Sequence, residues 1–440
     1  MTSRHPARTL WALLMVLTLL LAACSTADDG DEETTDAAAD DTAAEDEPAD
    51  DEPAGDESAD AEPADDAAAD DEPAEEEPAD DGGDDLLAQT DFFVQEDFEA
   101  QLALADATPE GPDDQPWLQQ LDPTMVETTD FAVDGEGEVC FSNISEGNGW
   151  RAQGATTAQA AAEDIENVTL NYVDAEGDDN QQIADIEALV DGGTCDVLIV
   201  APFTADALTP AVELACDAGL PVVVLASPVN SDCQTTYVSS IGGYLFGYQG
   251  AEFIVENAEP GANVLALRIL PGVAELEWRW GAAVEAFRDS DVNVVAVEFT
   301  EQDPTATKQI VTDAIQRFGQ IDAVWMDAGA AAIPTIEAFE DAGLEVPLIV
   351  GEDENQFLQA WAEGDLNAVA PTFPNYQWRT AIEAAADILE GTPVPERWIV
   401  PQPAIQTAEE RDEAIAEELG PLFYALCGCR DLGSFPDAYS

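Results

Sequence analysis

CDVLIVAPFTADALTPAVELACDAGLPVVVLA, residues 195–226, decides the fold. Its first segment, Cys195–Pro202, holds the unbroken apolar run Val197-Leu198-Ile199-Val200-Ala201. Its last, Pro221–Ala226, holds Val222-Val223-Val224-Leu225. Between them Ala207–Ala218 reads as a helix stopped by Gly219. Apolar runs that are continuous rather than alternating belong to parallel strands covered on both faces. A strand, a helix and a second such strand in so short a span make one unit of a doubly wound α/β sheet.

The alternation extends both ways. Upstream, strands at Gly137–Asn143 and Val168–Asp174 alternate with helices at Trp150–Ile165 and Asn180–Val190. The latter places Ile183, Ile186, Leu189 and Val190 at spacings of 3 and 4. Downstream, the pattern restarts after a strand at Tyr237–Ser240. Helices are expected at Tyr244–Asn257, Leu276–Asp289, Pro304–Arg317, Ala330–Ala342, Phe357–Ala362 and Trp378–Glu390. The strands between them are Asn263–Ile269, Val292–Glu298, Asp322–Met326, Pro347–Gly351 and Ala368–Thr372. Two similar α/β halves result. Ligands of such sheets bind beyond the carboxyl ends of the strands, so the cleft between two facing halves is the natural site. Residues 87–136, with one helix around 93–105, are expected to pack on this body as an N-terminal extension.

The N-terminus has a different character. Arg4 and Arg8 precede an apolar run from Leu10 to Ala23, and Leu21-Ala22-Ala23 leads into Cys24. This reads as a lipoprotein-type signal peptide over 1–23, with cleavage before Cys24 and lipid on its sulfur; an uncleaved membrane anchor is the alternative. Residues 24–86 follow as an acidic linker. Thirty Asp and Glu and no Lys or Arg occupy 27–86, with almost no apolar side chain larger than Ala. No burial there can offset chain entropy, so a solvated spacer is expected. A calcium-sequestering or partner-binding tail is the other reading.

The remaining 65 acidic residues face ten basic ones in 87–440, a net of −55, and Lys308 is the one lysine. Nucleic-acid binding needs a basic footprint and is excluded. Such a charge suggests a high-salt habitat, where screening tames self-repulsion.

Six cysteines follow Cys24, and an even number in an exported chain favours disulfides. Cys216–Cys233 is the favoured pair, because the two bracket a helix end, a strand and its loop. Cys140 and Cys195 stay unassigned. A bridge between the near neighbours Cys427 and Cys429 is expected to be strained. Zinc is a weaker alternative, since the single histidine, His5, leaves with the signal. No metal or cofactor is expected.

Several fragments in order carry a family resemblance: Phe141-Ser142-Asn143, Asn148-Gly149-Trp150-Arg151, Asp179-Asn180-Gln181-Gln182-Ile183, Cys195–Pro202, and Ala218-Gly219-Leu220-Pro221. In the second half come Ile321-Asp322-Ala323-Val324-Trp325-Met326-Asp327, Ala342-Gly343 and Val350-Gly351-Glu352-Asp353. Over 137–400 the chain resembles the type 1 periplasmic solute-binding proteins, the ribose-binding group of ABC-transporter receptors. The resemblance implies two Rossmann-like, doubly wound parallel-sheet lobes joined by a three-crossover hinge. Lobe 1 would comprise 137–240 with 373–395, and lobe 2 would comprise 241–372 with 396–440. It also implies closure around a small polar solute and an ABC permease as partner; a monomer, tethered outside the cell membrane through Cys24, is expected.

On the same resemblance, Asn148, Trp150, Trp325, Asp327 and Asp353 fall where the family holds its ligand. A carboxylate accepts hydroxyl bonds and an aromatic face covers the C–H side of a sugar ring. Departures from the pattern of sugar binders, such as Ala226-Ser227 and Ser240-Ile241-Gly242-Gly243, leave the sugar unnamed. A feature of this sequence adds to the set: Trp-Arg occurs at Trp150-Arg151, Trp278-Arg279 and Trp378-Arg379, each near an expected helix start. Arginine there could bind a polyol or carboxylate with Trp stacked beside it; the alternative is pairing with surface acids. Arg268, inside a strand, is expected in a buried ion pair, and Asp196 and Asp322, before strands, in loop capping.

The sequence thus points to a lipid-anchored receptor for a sugar or polyol. A sensing subunit of the same fold is the rival. A surface glycoside hydrolase using Asp327 and Asp353 is the remote one, since the fold already explains both carboxylates as hydroxyl acceptors; no nucleophile elbow, phosphate loop or metal-spaced histidine pair points to another enzyme.

Overall fold

The computed structural model describes residues 86–122 and 124–439. The signal peptide, Cys24 and the linker through 85 lie outside the described residues.

The extension contributes α1 (Gln95–Ala105) and the short strand β1 (Met125–Val126). The first lobe then runs β2 (Gly137–Asn143), α2 (Gly149–Asp164), β3 (Val168–Asp174), α3 (Asp179–Gly192), β4 (Val197–Ala201), α4 (Ala205–Asp217), β5 (Val222–Leu225) and β6 (Thr236–Ser239). The second runs α5 (Gly243–Asn257), β7 (Asn263–Arg268), α6 (Ala274–Arg288), β8 (Asn293–Phe299), α7 (Pro304–Phe318), β9 (Ala323–Met326), α8 (Ala332–Asp341), β10 (Leu348–Val350), α9 (Asn355–Gly364) and β11 (Ala368–Val369). After it come α10 (Gln377–Glu390), β12 (Val394–Pro395), β13 (Arg397–Ile399) and α11 (Ala408–Ala414).

Two parallel sheets result, ordered β13-β6-β5-β4-β2-β3 and β11-β10-β9-β7-β8. Each begins at an interior strand, steps to one side and then winds away on the other. The order therefore reverses between β2 and β4 and between β7 and β9, and crevices open at such switch points. The lobes repeat each other in detail. Asp196 Oδ2 accepts from Glu138 N at 2.8 Å, and Asp322 Oδ2 accepts from Asn263 N at 2.8 Å. These are the expected caps, and they pin the two strands of each switch point at their amino ends.

The continuous apolar strands are buried on both faces. In β4, Val197 and Ile199 join a core with Phe141 and Trp378, while Leu198 and Val200 join another with Ile186 and Leu208. In the second lobe α5 and α6 approach closely because α5 carries glycine where they cross. A Cβ on Gly247 would lie 1.8 Å from the Arg279 carbonyl oxygen.

Three crossovers join the lobes and are laced together. Ala370 and Ile405 exchange backbone bonds at 2.9 Å. The Gln402 side chain holds Gly242 by its N–H at 2.8 Å and its carbonyl at 3.2 Å, and Thr372 Oγ1 donates to Pro403 O at 2.5 Å. The sequence reading ended lobe 1 at 395, but β13 pairs in parallel with β6 in the first sheet, so the third crossover follows Val400. Nor does 396–440 sit wholly with lobe 2. Beyond α11 the tail adds Leu419, Phe423, Cys427 and Cys429 to the core of lobe 1 while Ala425 joins that of lobe 2. The extension also touches both. Val94 N donates to Tyr244 Oη at 2.8 Å in lobe 2, and Trp398 Nε1 donates to Gln119 O at 3.0 Å.

All six cysteines are paired: Cys140–Cys195, Cys216–Cys233 and Cys427–Cys429. The last bridge, which the sequence reading disfavoured, is accommodated by Gly428 in the left-handed region at φ 62°.

Candidate functional site

In the first lobe the switch point is spanned by an arginine. Asn148 caps α2, its Oδ1 accepting from Arg151 N at 2.9 Å, and so fixes the first helical turn. From that turn Arg151 Nη1 donates to Asn143 Oδ1 and Nη2 to Pro202 O, both at 3.4 Å. Asn143 is itself held, its Nδ2 donating to Asp174 Oδ2 at 2.7 Å and to Tyr172 Oη at 2.9 Å. Burial pushes the Arg151 guanidinium down to about 10, against the pull of Tyr172 and Asp174, which leaves it cationic at neutral pH.

The second lobe repeats the device. Arg279, from α6, donates through Nη1 to Asp327 O at 2.6 Å, and the Asp327 carboxylate accepts from Ile269 N at 2.9 Å. Arg268 forms its expected buried pair with Glu277 at 2.9 Å. Buried acids lie beside Arg279 and along the 352–354 turn after β10. Glu275 Oε1 lies 3.9 Å from its Nε, and neither atom has a hydrogen-bond partner within the protein. Glu352 Oε2 accepts from Gly329 N at 2.9 Å, Asp353 Oδ2 from Leu426 N at 2.8 Å, and Glu354 Oε1 from Tyr424 Oη at 2.8 Å. Burial raises Glu352 to about 8 and Glu275, Asp327 and Asp353 to about 7, with Arg279 opposing the rise at Glu275, Asp327 and Glu352.

Phe373, in the second crossover, joins the two halves of this arrangement. The Trp150 ring lies 5.4 Å from its ring and Trp150 Nε1 donates to its carbonyl at 2.7 Å. The Arg279 guanidinium carbon lies 5.1 Å from the same ring, and 3.9 Å from that of Phe246. Guanidinium donors, carboxylate acceptors and aromatic faces thus converge from both lobes on the hinge side of the cleft, a set suited to a hydroxyl-rich guest.

Other expected residues lie elsewhere. Trp325 is fully buried beneath the second sheet, its Nε1 donating to Gly247 O at 3.2 Å beside Trp280. Trp378 is fully buried in lobe 1, stacked on Phe141 at 5.5 Å. Trp278 packs on Tyr244 among Phe93 and Phe98 of the extension. Arg379 holds the tail, bonding Asp431 at 2.6 Å and Gly428 O at 2.7 Å over the Trp117 ring. These four make contacts within the cores, the extension and the tail. Asn143, Glu275, Glu352 and Phe373 were missed; the acid triplet 352–354 after an apolar strand was the visible signal. A cavity of about 390 Å³ lies beside α5 and β11, lined by Trp361 and Arg411 among others, and none of the site residues described above lines it.

A family model described as a periplasmic binding protein domain matches residues 139–393. The chain belongs to the periplasmic binding protein family. As a periplasmic binding protein it captures a solute rather than transforming it, so the hydrolase reading closes. The ribose import binding protein of Bacillus subtilis is 30% identical over 223 residues, 50% of this chain and 72% of that one. The galactofuranose-binding protein of Escherichia coli is 23% identical, over 54% of this chain and 77% of that one. A periplasmic ribose ABC transporter protein from Conexibacter woesei has the same fold, with TM-score 0.57 and 24% identity, covering 64% of this chain and 95% of that one. So does a Bacillus halodurans solute-binding protein with bound myo-inositol, at TM-score 0.57 and 20% identity, covering 64% of this chain and 98% of that one.

Proposed function

We propose that this periplasmic binding protein is the receptor of an ABC importer for a neutral, hydroxyl-rich solute, a sugar or polyol, captured between its lobes. Arg151 and Asn143 would grip it from lobe 1, and Arg279, Asp327, Glu352 and Asp353 from lobe 2, with Trp150 and Phe373 covering a C–H face. Lobe closure would then present a surface to the permease. Export and a lipid on Cys24 would hold the receptor at the outer face of the cell membrane.

The observation that carries this reading is the meeting at Phe373 of Trp150 from one lobe and Arg279 from the other. The relatives named for ribose, galactofuranose and myo-inositol support the solute class. The test is titration with D-ribose, L-arabinose, D-galactose, myo-inositol and glycerol at high salt, read by tryptophan fluorescence. Saturable binding of one of them is expected. Binding only of amino acids or anions would defeat the reading.

A further inference from the structure

The C-terminal tail lies outside the matched family domain, which ends at residue 393, yet it packs against the turn that carries Asp353. Its backbone runs along the Asp353–Asn355 turn: Ala425 N donates to Asp353 O at 3.0 Å and Asn355 N to Phe423 O at 2.7 Å. The Asn355 side chain donates to Ala416 O at 2.9 Å. On the other side the Gln153 amide of α2 makes two bonds to Tyr424, accepting from its N at 2.7 Å and donating to its O at 2.9 Å. Tyr376 N donates to Leu426 O at 2.9 Å. The tail is therefore a fourth connection between lobes, held at both ends.

Its effect on Asp353 is specific. Leu426 N–H occupies Oδ2, while Oδ1 is buried with no hydrogen-bond partner within the protein. A buried carboxylate oxygen without a donor is costly unless something supplies one. We infer that the tail is a positioning element of the solute site: Leu426 holds one Asp353 oxygen so that the other is presented as a single acceptor for one ligand hydroxyl. The inference rests on the binding reading above and assigns Tyr424–Leu426, which lies beyond the matched family domain, a part in it. Without the tail, Asp353 would be free to rotate and to take a proton.

The groups facing Asp353 are Glu352 and Glu354 on its own turn, Tyr424 from the tail and Tyr376 from the second crossover, with Arg279 of α6 beyond Glu352. None but Arg279 is cationic, so backbone amides, that of Leu426 first, then those of Asp353 itself and Ala425, are what favour the ionised form locally. Removing the Leu426 donor moves Asp353 protonation to higher pH.

The experiment uses the mature full chain carrying Leu426→Pro, with Asp353→Asn beside it, titrated from pH 5 to 9 with the sugars and polyols named above. Expected are at least tenfold weaker binding for Asp353→Asn, and for Leu426→Pro about tenfold weaker binding at pH 7 that recovers to within threefold at pH 9. Gln153→Ala, which frees Tyr424 without touching Asp353, serves if the proline variant does not fold, and should give the same pH signature at about threefold. Weakening by an equal factor at every pH, or none, overturns the inference while the Asp353→Asn loss keeps the site. No loss in Asp353→Asn removes the site reading itself.

Discussion

Arg151 and Arg279 hold equivalent stations in the two lobes. Each springs from the helix that follows the first strand of its sheet and donates to the carbonyl of the first residue past the third strand, Pro202 at 3.4 Å and Asp327 at 2.6 Å. The two sheets have the same winding, so the same reach serves both. The surroundings differ: Arg151 is buried near Asp174, whereas Arg279 faces Glu275, Asp327 and Glu352.

That difference sets the outcome of mutation. Arg279→Ala strips the cation from three buried acids and should cost about 3–5 kcal/mol, the usual penalty for an uncompensated buried charge. A drop in the urea midpoint at pH 8, smaller at pH 5 where those acids are protonated, is the expected reading. Arg151→Lys keeps charge but loses the planar fork. It should fold normally and bind the best solute at least tenfold more weakly; wild-type affinity would remove Arg151 from the site.

Trp150→Phe keeps an aromatic face but deletes the donor to the Phe373 carbonyl. A bond of this kind is worth about 1 kcal/mol net, so affinity should fall about fivefold with unchanged secondary structure. An unchanged dissociation constant by calorimetry would show that the Trp150–Phe373 link does not set the cleft geometry.

The buried carboxyls give the fold a pH dependence of defined sign. Glu352 titrates near 8 in the folded chain against an ordinary value near 4.5, so the native state binds its proton more tightly than the unfolded chain does. Stability contributed by the neutral form is present below about pH 4.5 and is lost as pH rises through about 8. Glu275, Asp327 and Asp353 act in the same direction up to about 7. The melting temperature should fall between pH 5 and 8, and Glu352→Gln should flatten that fall by about 2 °C or more. An identical slope in the variant would refute the assignment.

Gly247→Ala tests the close crossing of α5 and α6. The added methyl meets the Arg279 carbonyl at 1.8 Å, so the helices must separate. Overpacking of this kind costs about 1–3 kcal/mol, and here it would also displace Arg279. Loss of stability together with solute binding is expected, measured by denaturant titration and fluorescence.

Much of the architecture could be read from the chain because each lobe repeats one simple signal, an apolar run followed by a helix. The strand Arg397-Trp398-Ile399 escaped because three residues after Pro395 carry no period. The tail escaped for another reason: its partners are amides and carboxylates tens to hundreds of positions away, and nothing local announces them. The Trp-Arg dipeptides misled in part. Neighbours on a helix point about 100° apart, so a tryptophan and the arginine beside it need not meet the same surroundings. Arg279 turns to the strand tips and Trp278 to the extension, while at Trp378 and Arg379 neither side chain faces the cleft.

Two of the disulfides staple lobe 1 internally, and the third closes on itself within three residues. Among the described residues, no covalent cross-link other than the main chain passes from one body to the other. Oxidation can therefore harden this receptor against a hostile exterior without locking its jaws. Whatever grips the cargo is fastened by bonds that thermal motion can undo, and unloading stays possible in a molecule that never needs to be reduced.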